Sequence, residues 1–198
     1  LSLTLDPEEV RQMDSFNRWS QNKFVVGSVF RFVPEKRPLM WIDVAYKLLQ
    51  SRQDVVFLIV GDGPLFEEAK EKVENLGISQ SFYFPGLTNA VGNWLETMDL
   101  FLLTSSVEGL PNVVIEAQGF GVPVISTDAG GAEEVIVPTE TGFIVKNDNV
   151  GDLSKQLMWC LDHDEWRNNA AKMALEHSQT MFSVERMYAR LLDIYDEI

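Results

Sequence analysis

The sequence has very few of the residues that bind transition metals or form disulfides. It contains one cysteine, Cys160, and two histidines, His163 and His177. A single cysteine excludes an intramolecular disulfide and is typical of a reducing compartment, so we expect a cytoplasmic protein. Cys160 and two histidines do not provide the ligands of a zinc site.

Basic residues and long apolar runs are also scarce. The chain has 16 Lys and Arg against 30 Asp and Glu, a net charge of −14, which argues against a broad nucleic-acid surface. No apolar run approaches the roughly 18 to 20 residues that span a bilayer, and the start does not resemble a signal peptide. Because the first residue is Leu1 rather than Met, we expect a fragment or a processed chain.

What the sequence does contain is a regular alternation of apolar and amphipathic segments. Hydrophobic residues make up 45% of the chain, which argues against disorder. Short continuous apolar runs are typical of strands that are buried on both faces of a parallel sheet. They predict strands at residues 24–29, 55–60, 82–84, 100–103, 122–126 and 143–145.

Segments with helical spacing lie between these runs. They predict helices at residues 39–49, 65–76, 90–96, 113–120 and 132–137, followed by helices alone at 150–161, 165–179 and 184–196. This order predicts an α/β fold, a doubly wound, Rossmann-like parallel sheet of about six strands with a C-terminal helical tail. We expect a lead-in segment (1–22), a Rossmann-like domain (23–182) and a C-terminal helix (183–198).

Ligands of such sheets bind beyond the carboxyl ends of the strands, where the sequence places unusual residues. Arg31 and Lys36 follow the first strand and could bind phosphate oxygens, although they could equally be solvated loop cations. Gly61 and Gly63 follow the second strand and permit close approach of a ligand, or form a plain tight turn. Phe66 occupies a position where the dinucleotide fingerprint requires glycine, which argues against a nicotinamide-dependent enzyme.

The most specific pattern runs from Ser105 to Ala117 and includes Glu108-Gly-Leu-Pro-Asn-Val-Val-Ile-Glu116. A buried strand leads into a loop and then into a helix that starts near Pro111, and a helix N-terminus favours an anion. Glu108 and Glu116 would flank this position and accept hydrogen bonds from ligand hydroxyls. A diphosphate next to hydroxyls describes a nucleotide sugar. The alternative is that the two glutamates only complement the helix dipole.

These motifs resemble the carboxy-terminal, donor-binding half of retaining glycosyltransferases with the two-domain GT-B fold, in family 4. The resemblance covers residues 23–145, and the E-x7-E spacing of Glu108 and Glu116 is its most specific element. Family members often have glycine after the loop lysine, whereas this chain has Arg37. That departure would admit a third cation and makes the geometry of the turn an open question.

The resemblance implies a role for each matching residue. Arg31 and Lys36 would hold the donor diphosphate, Glu116 the ribose hydroxyls, and Glu108 the donor sugar near its anomeric carbon, so Glu108, Arg31 and Lys36 are the expected catalytic residues. The other expected donor-binding residues are Gly109, Leu110, Pro111, Asn112, Gly61, Gly63, Phe84, Pro85 and Leu87. The aromatic residues of the 82–86 segment could instead belong to the core.

The implied function is a metal-independent hexosyl transfer from a nucleotide-diphosphate sugar to a glycan or glycolipid acceptor, in polysaccharide synthesis. The acceptor would bind to a missing N-terminal domain, so the isolated fragment is expected to be inactive, and that half could attach to the inner face of the membrane. No cofactor and no nucleic-acid partner are expected. The alternatives are a non-catalytic nucleotide-sugar-binding module and a related GT-B epimerase. A phosphorylase would need a pyridoxal-phosphate lysine, for which the sequence offers no context.

Overall fold

A computed structural model describes residues 6–146 and 148–183, together with Arg186, Tyr188 and Tyr195. The fold alternates strands and helices along the chain, as the apolar pattern predicts. The strands are β1 (Phe24–Val29), β2 (Val55–Val60), β3 (Phe82–Gly86), β4 (Leu100–Leu103), β5 (Val124–Thr127) and β6 (Gly142–Val145). The helices are α1 (Pro7–Trp19), α2 (Pro38–Leu49), α3 (Phe66–Asn75), α4 (Val91–Leu95), α5 (Asn112–Gly119), α6 (Ala132–Val135), α7 (Val150–Asp162) and α8 (Asp164–Met181).

The six strands form one parallel sheet in the order β3-β2-β1-β4-β5-β6. The order reverses between β1 and β4, which lie side by side although β2 and β3 come between them in sequence. In doubly wound sheets such a switch point opens a crevice at the carboxyl edge. The predicted Rossmann-like architecture is therefore confirmed.

Helices cover both faces of the sheet. One apolar cluster lies under α2, α3 and α7 and is centred on Trp41 and Phe57, and the other lies under α1, α4, α5 and α6 and is centred on Phe16 and Trp94. Each fully buried large side chain of this kind stabilises the fold by about 1.5–3 kcal/mol. Both clusters hold the strands in register and so fix the loops at the carboxyl edge.

The first helix is integrated into the second of these clusters. Asp6 caps α1 and forms a capping box with Glu9, while Phe16 is fully buried against Tyr83 and Trp94. Glu9 also accepts a hydrogen bond from Thr88 Oγ1 at 2.7 Å. The lead-in segment thus packs on the loop that follows β3.

Most predicted boundaries differ from the observed ones by one or two residues. The largest shifts among the strands, two residues, are at β3 and β5. β5 begins at Val124 rather than residue 122 because Pro123 has no N–H to donate to a ladder. β3 continues to Gly86, whose positive φ of 80° ends the strand. The expected terminal helix at 184–196 lies almost wholly outside the described residues.

The only cysteine of the sequence is inside the fold. Cys160 is fully buried on α7, and burial raises the pKa of its thiol to about 12. Arg167 donates to the Cys160 carbonyl at 3.1 Å and so caps the end of the same helix. Across the described residues, no helix combines the length and apolarity needed to cross a bilayer.

Candidate functional site

The loops after β1 and β4 meet at the switch point of the sheet. A short 3-10 turn, Pro34–Lys36, follows β1, and the β4 loop runs from Thr104 to Pro111, just before α5. Lys36 Nζ lies 2.5 Å from Glu108 Oε1, and Ser105 Oγ donates to the same oxygen at 2.6 Å. The structure therefore brings together Lys36 and Glu108, two of the residues that the sequence predicts as catalytic.

Further hydrogen bonds tie these loops to each other. Thr104 Oγ1 donates to the carbonyl of Lys36 at 2.9 Å, and Ser106 N donates to the carbonyl of Glu35 at 2.8 Å. From the neighbouring strand β5, Thr127 Oγ1 donates to the carbonyl of Ser105 at 2.6 Å. We call this set of contacts, centred on the Lys36–Glu108 ion pair, the loop junction.

The loop before α6 packs against the junction through two glycines. Glu108 N donates to the carbonyl of Ala129 at 2.9 Å, and Gly130 adopts a φ of 75°, which favours glycine. A Cβ on Gly131 would lie only 1.6 Å from the Gly109 carbonyl oxygen. Glycine is needed at position 131 because two backbones approach each other there.

Helix α5 begins at the junction with a free N-terminus. Pro111 is its N-cap residue, and no side chain caps the first N–H groups. The N-terminal end of a helix carries a partial positive charge and presents N–H donors to an anion. Partial desolvation of its carboxyl raises the pKa of Glu116, one turn further along the helix, although the residue as a whole is exposed. A ligand at this end would meet free backbone donors, Lys36 and the Glu108 carboxylate.

Arg31 lies in a different part of the crevice. It borders an open depression of about 500 Å³ beside Gly61, Gly63, Leu87 and Thr88, at the carboxyl ends of β1, β2 and β3. Lys36 and Glu108 do not line this depression, so the structure divides the predicted residues into two groups. The predicted convergence of Arg31 and Lys36 on one phosphate stays a prediction.

The glycines of this depression keep its floor close to the backbone. Gly61 has a φ of 130°, and a Cβ there would lie 2.0 Å from the carbonyl oxygen of Phe30. Leu87 is 78% exposed at the rim. Phe84 stacks on Phe82 at 5.6 Å between ring centroids and packs on Phe66, in agreement with the core alternative. A contact of Phe84 or Pro85 with a base remains a prediction.

The residues around α5 remain accessible. Gly109, Leu110, Asn112 and Glu116 are exposed, while Pro111 is buried. Val107 and Leu110, two apolar side chains in the β4 loop, are 67% and 46% exposed. The donor-binding roles of Gly109, Leu110, Pro111, Asn112 and Glu116 are untested predictions. Among the residues that the structure describes, no group of three or more His, Cys, Asp and Glu could hold a metal ion.

Arg37 is the feature of the site that sequence reasoning only partly recognised. Its departure from glycine predicts room for a third cation, and in the structure its guanidinium contacts the protein itself. It donates to the carbonyls of Thr104 and Ser105 and pairs with Asp148. The contacts of Ser105, Thr104 and Thr127 had no signal in the sequence, because each uses a backbone carbonyl or a common hydroxyl.

The chain belongs to the family described as glycosyl transferases group 1, whose family model matches residues 10–177. A curated relative, the Vi polysaccharide biosynthesis protein VipC/TviE of Salmonella typhi, is 42% identical over 165 residues. That alignment covers 82% of this chain and 28% of the relative. Membership of family 4 within the GT-B glycosyltransferases is still a prediction.

Two solved structures show how much of a longer protein this fold represents. HepE of Anabaena in complex with UDP superimposes with a TM-score of 0.85 at 22% identity, covering 98% of this chain and 54% of that one. The C-terminal domain of a glycosyl transferase group 1 family protein (LpcC) from Francisella tularensis gives 0.76 at 22% identity, covering 88% and 92%. The chain thus spans about half of HepE and less than a third of the Salmonella relative.

Proposed function

We propose that this chain is the donor-binding domain of a glycosyltransferase, which binds a nucleoside-diphosphate sugar in the crevice at the switch point of the sheet. The observation that carries the proposal is the loop junction, where Lys36 and Glu108 meet next to the uncapped N-terminus of α5. A cation and a helix end favour a diphosphate, and a carboxylate beside them favours the hydroxyls of a sugar. The presence of UDP in the related HepE crystal structure supports the same ligand class.

The two groups of residues divide the work on such a ligand. The open depression beside Arg31, Gly61 and Gly63 has the volume and exposed rim to take a nucleoside, and Arg31 would then face the phosphates. Lys36 and the α5 N–H groups would stabilise the negative charge that develops on the leaving diphosphate. Glu108 would then exchange its contact with Lys36 for hydroxyls of the sugar and hold the anomeric carbon toward the acceptor.

The acceptor site is proposed to lie outside this chain. The chain aligns with 28% of one curated relative and 40% of another, and the one-domain Francisella structure that it nearly fills is a C-terminal domain. The exposed Val107 and Leu110 at the rim of the crevice would face the acceptor-binding domain. A glycan or glycolipid acceptor, transfer without a metal and retention of configuration belong to this proposal, as does a cytoplasmic location.

A nucleotide titration tests the proposal directly. Adding UDP, GDP or ADP to the ¹⁵N-labelled chain should shift the amide resonances of residues 31–37, 61–63 and 105–113. A control variant is Lys155→Met, which removes one positive charge from α7, at a lysine whose side chain is 79% exposed. This variant should bind the nucleotide as tightly as the unsubstituted chain. Shifts confined to other surfaces, or none at millimolar nucleotide, would contradict the donor-binding assignment.

Catalysis is tested in the full gene product that contains this chain. Glu108→Gln should abolish most sugar transfer while nucleotide binding falls only modestly, because the carboxylate is proposed to hold the sugar rather than the phosphates. Transfer should persist in EDTA. Undiminished transfer by the Gln variant would favour a non-catalytic role for this carboxylate, and epimerised donor without transfer would favour an epimerase.

A further inference from the structure

Arg37 adopts a backbone conformation that a non-glycine residue rarely keeps. It has φ of 49° and ψ of 56° and is the N-cap residue of α2, where its carbonyl accepts from Trp41 N at 3.1 Å. Left-handed residues other than glycine persist only when surrounding contacts hold them. The backbone of Arg37 bonds to Pro34 and Trp41, and its guanidinium group adds further contacts.

The guanidinium connects three separate segments. Nε donates to the Thr104 carbonyl at 2.6 Å and Nη2 to the Ser105 carbonyl at 3.0 Å, while Nη1 lies 2.5 Å from Asp148 Oδ2. The two carbonyls lie where the chain leaves β4 and enters the loop that carries Glu108. Asp148 belongs to the segment between β6 and α7. The side chain of Arg37 is only 22% exposed.

We infer that Arg37 is a positioning residue for donor binding, which fixes the β4 loop and thereby the Lys36–Glu108 pair. Lys36 precedes Arg37 in the chain, and Ser105 both receives the Arg37 contact and donates to Glu108. Arg37 therefore sets the geometry of the junction from both sides, and Asp148 orients its guanidinium. The inference rests on the proposed function, in which these loops bind the donor.

A direct contact of Arg37 with the diphosphate is the competing explanation, and Asp148 separates the two. If Arg37 positions the loop, Asp148→Asn releases the guanidinium and weakens nucleotide binding. If Arg37 binds phosphate, the same change removes a competing anion and strengthens nucleotide binding. The two explanations thus predict changes in opposite directions.

The first measurement needs no ligand. Arg37→Gly suits the left-handed backbone and removes only the side chain, so the chain should stay folded. Hydrogen exchange of the amides of residues 104–110 should then accelerate about tenfold, since two hydrogen bonds from a charged donor are lost. The matched control is Arg52→Ala, which removes an arginine that pairs with Asp54 and Asp162 away from the crevice. It should leave this exchange unchanged.

The second measurement is binding of UDP, GDP or ADP, whichever the unsubstituted chain binds most tightly. We expect Arg37→Gly to weaken binding about tenfold and Asp148→Asn two- to threefold, as for a partly exposed ion pair. Millimolar guanidinium should restore part of the affinity of Arg37→Gly, whereas sodium chloride at equal ionic strength should not. In the full gene product, Arg37→Gly should raise the donor KM and leave the acceptor KM unchanged, whereas a misfolded fraction would lower only kcat.

Unchanged exchange of the β4 loop in Arg37→Gly, or tighter binding by Asp148→Asn, would overturn the inference. If the unsubstituted chain binds none of the three nucleotides, the proposed function fails. The exchange comparison still decides in that case whether Arg37 holds the loop.

Discussion

The two sides of the crevice differ in how many of their polar side chains are paired with other groups of the protein. At the loop junction, Lys36 and Ser105 each contact Glu108 Oε1, at 2.5 and 2.6 Å. The depression beside Arg31 is lined by two glycines, five apolar residues, Asp62 and Thr88 around an open volume of about 500 Å³. Charged side chains can hold one another in place by pairing. An open volume, in contrast, needs residues without side chains, such as glycine. The junction thus depends on contacts, and the depression depends on the absence of side chains.

The largest expected effect is a loss of stability when a side chain is added where the loop before α6 meets the junction. Gly131→Ala should destabilise the chain by about 2–3 kcal/mol, because its Cβ would overlap the Gly109 carbonyl at 1.6 Å. The backbone φ of Gly131 is −59°, so alanine is not strained there for any other reason. Urea unfolding followed by tryptophan fluorescence measures the change.

Gly109→Ala is the matched control for this substitution, since nothing lies within 4 Å of a Cβ at that position. It should leave the free energy of unfolding unchanged within about 0.5 kcal/mol. Equal destabilisation by the two alanines would show that overlap with the Gly109 carbonyl is not the cause of the lost stability.

A smaller expected effect is a difference in stability between variants of Lys36 and of Arg31. Lys36→Met should destabilise the chain by about 1–2 kcal/mol, because Glu108, only 10% exposed, loses its charged partner. Arg31→Met should change stability by less than about 0.5 kcal/mol, because Arg31 is exposed. Both should weaken nucleotide binding. Chemical denaturation and nucleotide titration of the two variants measure these effects.

The double variant Lys36→Met, Glu108→Gln checks the reason for the lost stability. Removing both charges should recover most of it, because no unpaired carboxylate then remains in the junction. Stability that stays as low as in the single variant would point to lost packing of the lysine side chain instead.

The smallest effect is a pH dependence at Glu116. Partial desolvation raises the pKa of the carboxyl of this exposed residue in the folded chain, so folding favours the neutral form. The stability from this group is complete below the unfolded pKa, near 4.3, and is lost as the pH rises through the folded pKa. Glu116→Gln should therefore match the unsubstituted chain near pH 4 and exceed it at pH 7, by less than about 0.5 kcal/mol after solvent screening.

Unfolding curves at several pH values give this comparison, with Glu71→Gln on α3 as the control. A Gln variant that is less stable than the unsubstituted chain at pH 7 would mean that the charged form of Glu116 is favoured by folding.

The sequence predicted the elements of the fold well because each buried strand is a continuous apolar run. The ends of β1, β2 and β4 match their predicted positions, and β5 differs because Pro123 interrupts the ladder. The proximity of Lys36 and Glu108 followed from the neighbouring strand ends of a doubly wound sheet. The contacts of Arg37, Thr104 and Thr127 could not be predicted, since they depend on carbonyls that every residue has. The sequence could not predict that Arg31 lines a depression that Lys36 does not, because spacing along a loop does not reveal which side of a crevice a residue takes.

The burial of Cys160 has a practical consequence for following this chain in solution. With its thiol pKa near 12 and no exposed surface, the native protein should be inert to alkylating dyes at neutral pH. A fluorophore attached through Val107→Cys would therefore label the rim of the crevice alone. Labelling of Cys160 by a dye would report global unfolding. The same variant therefore reports ligand binding through position 107 and unfolding through Cys160.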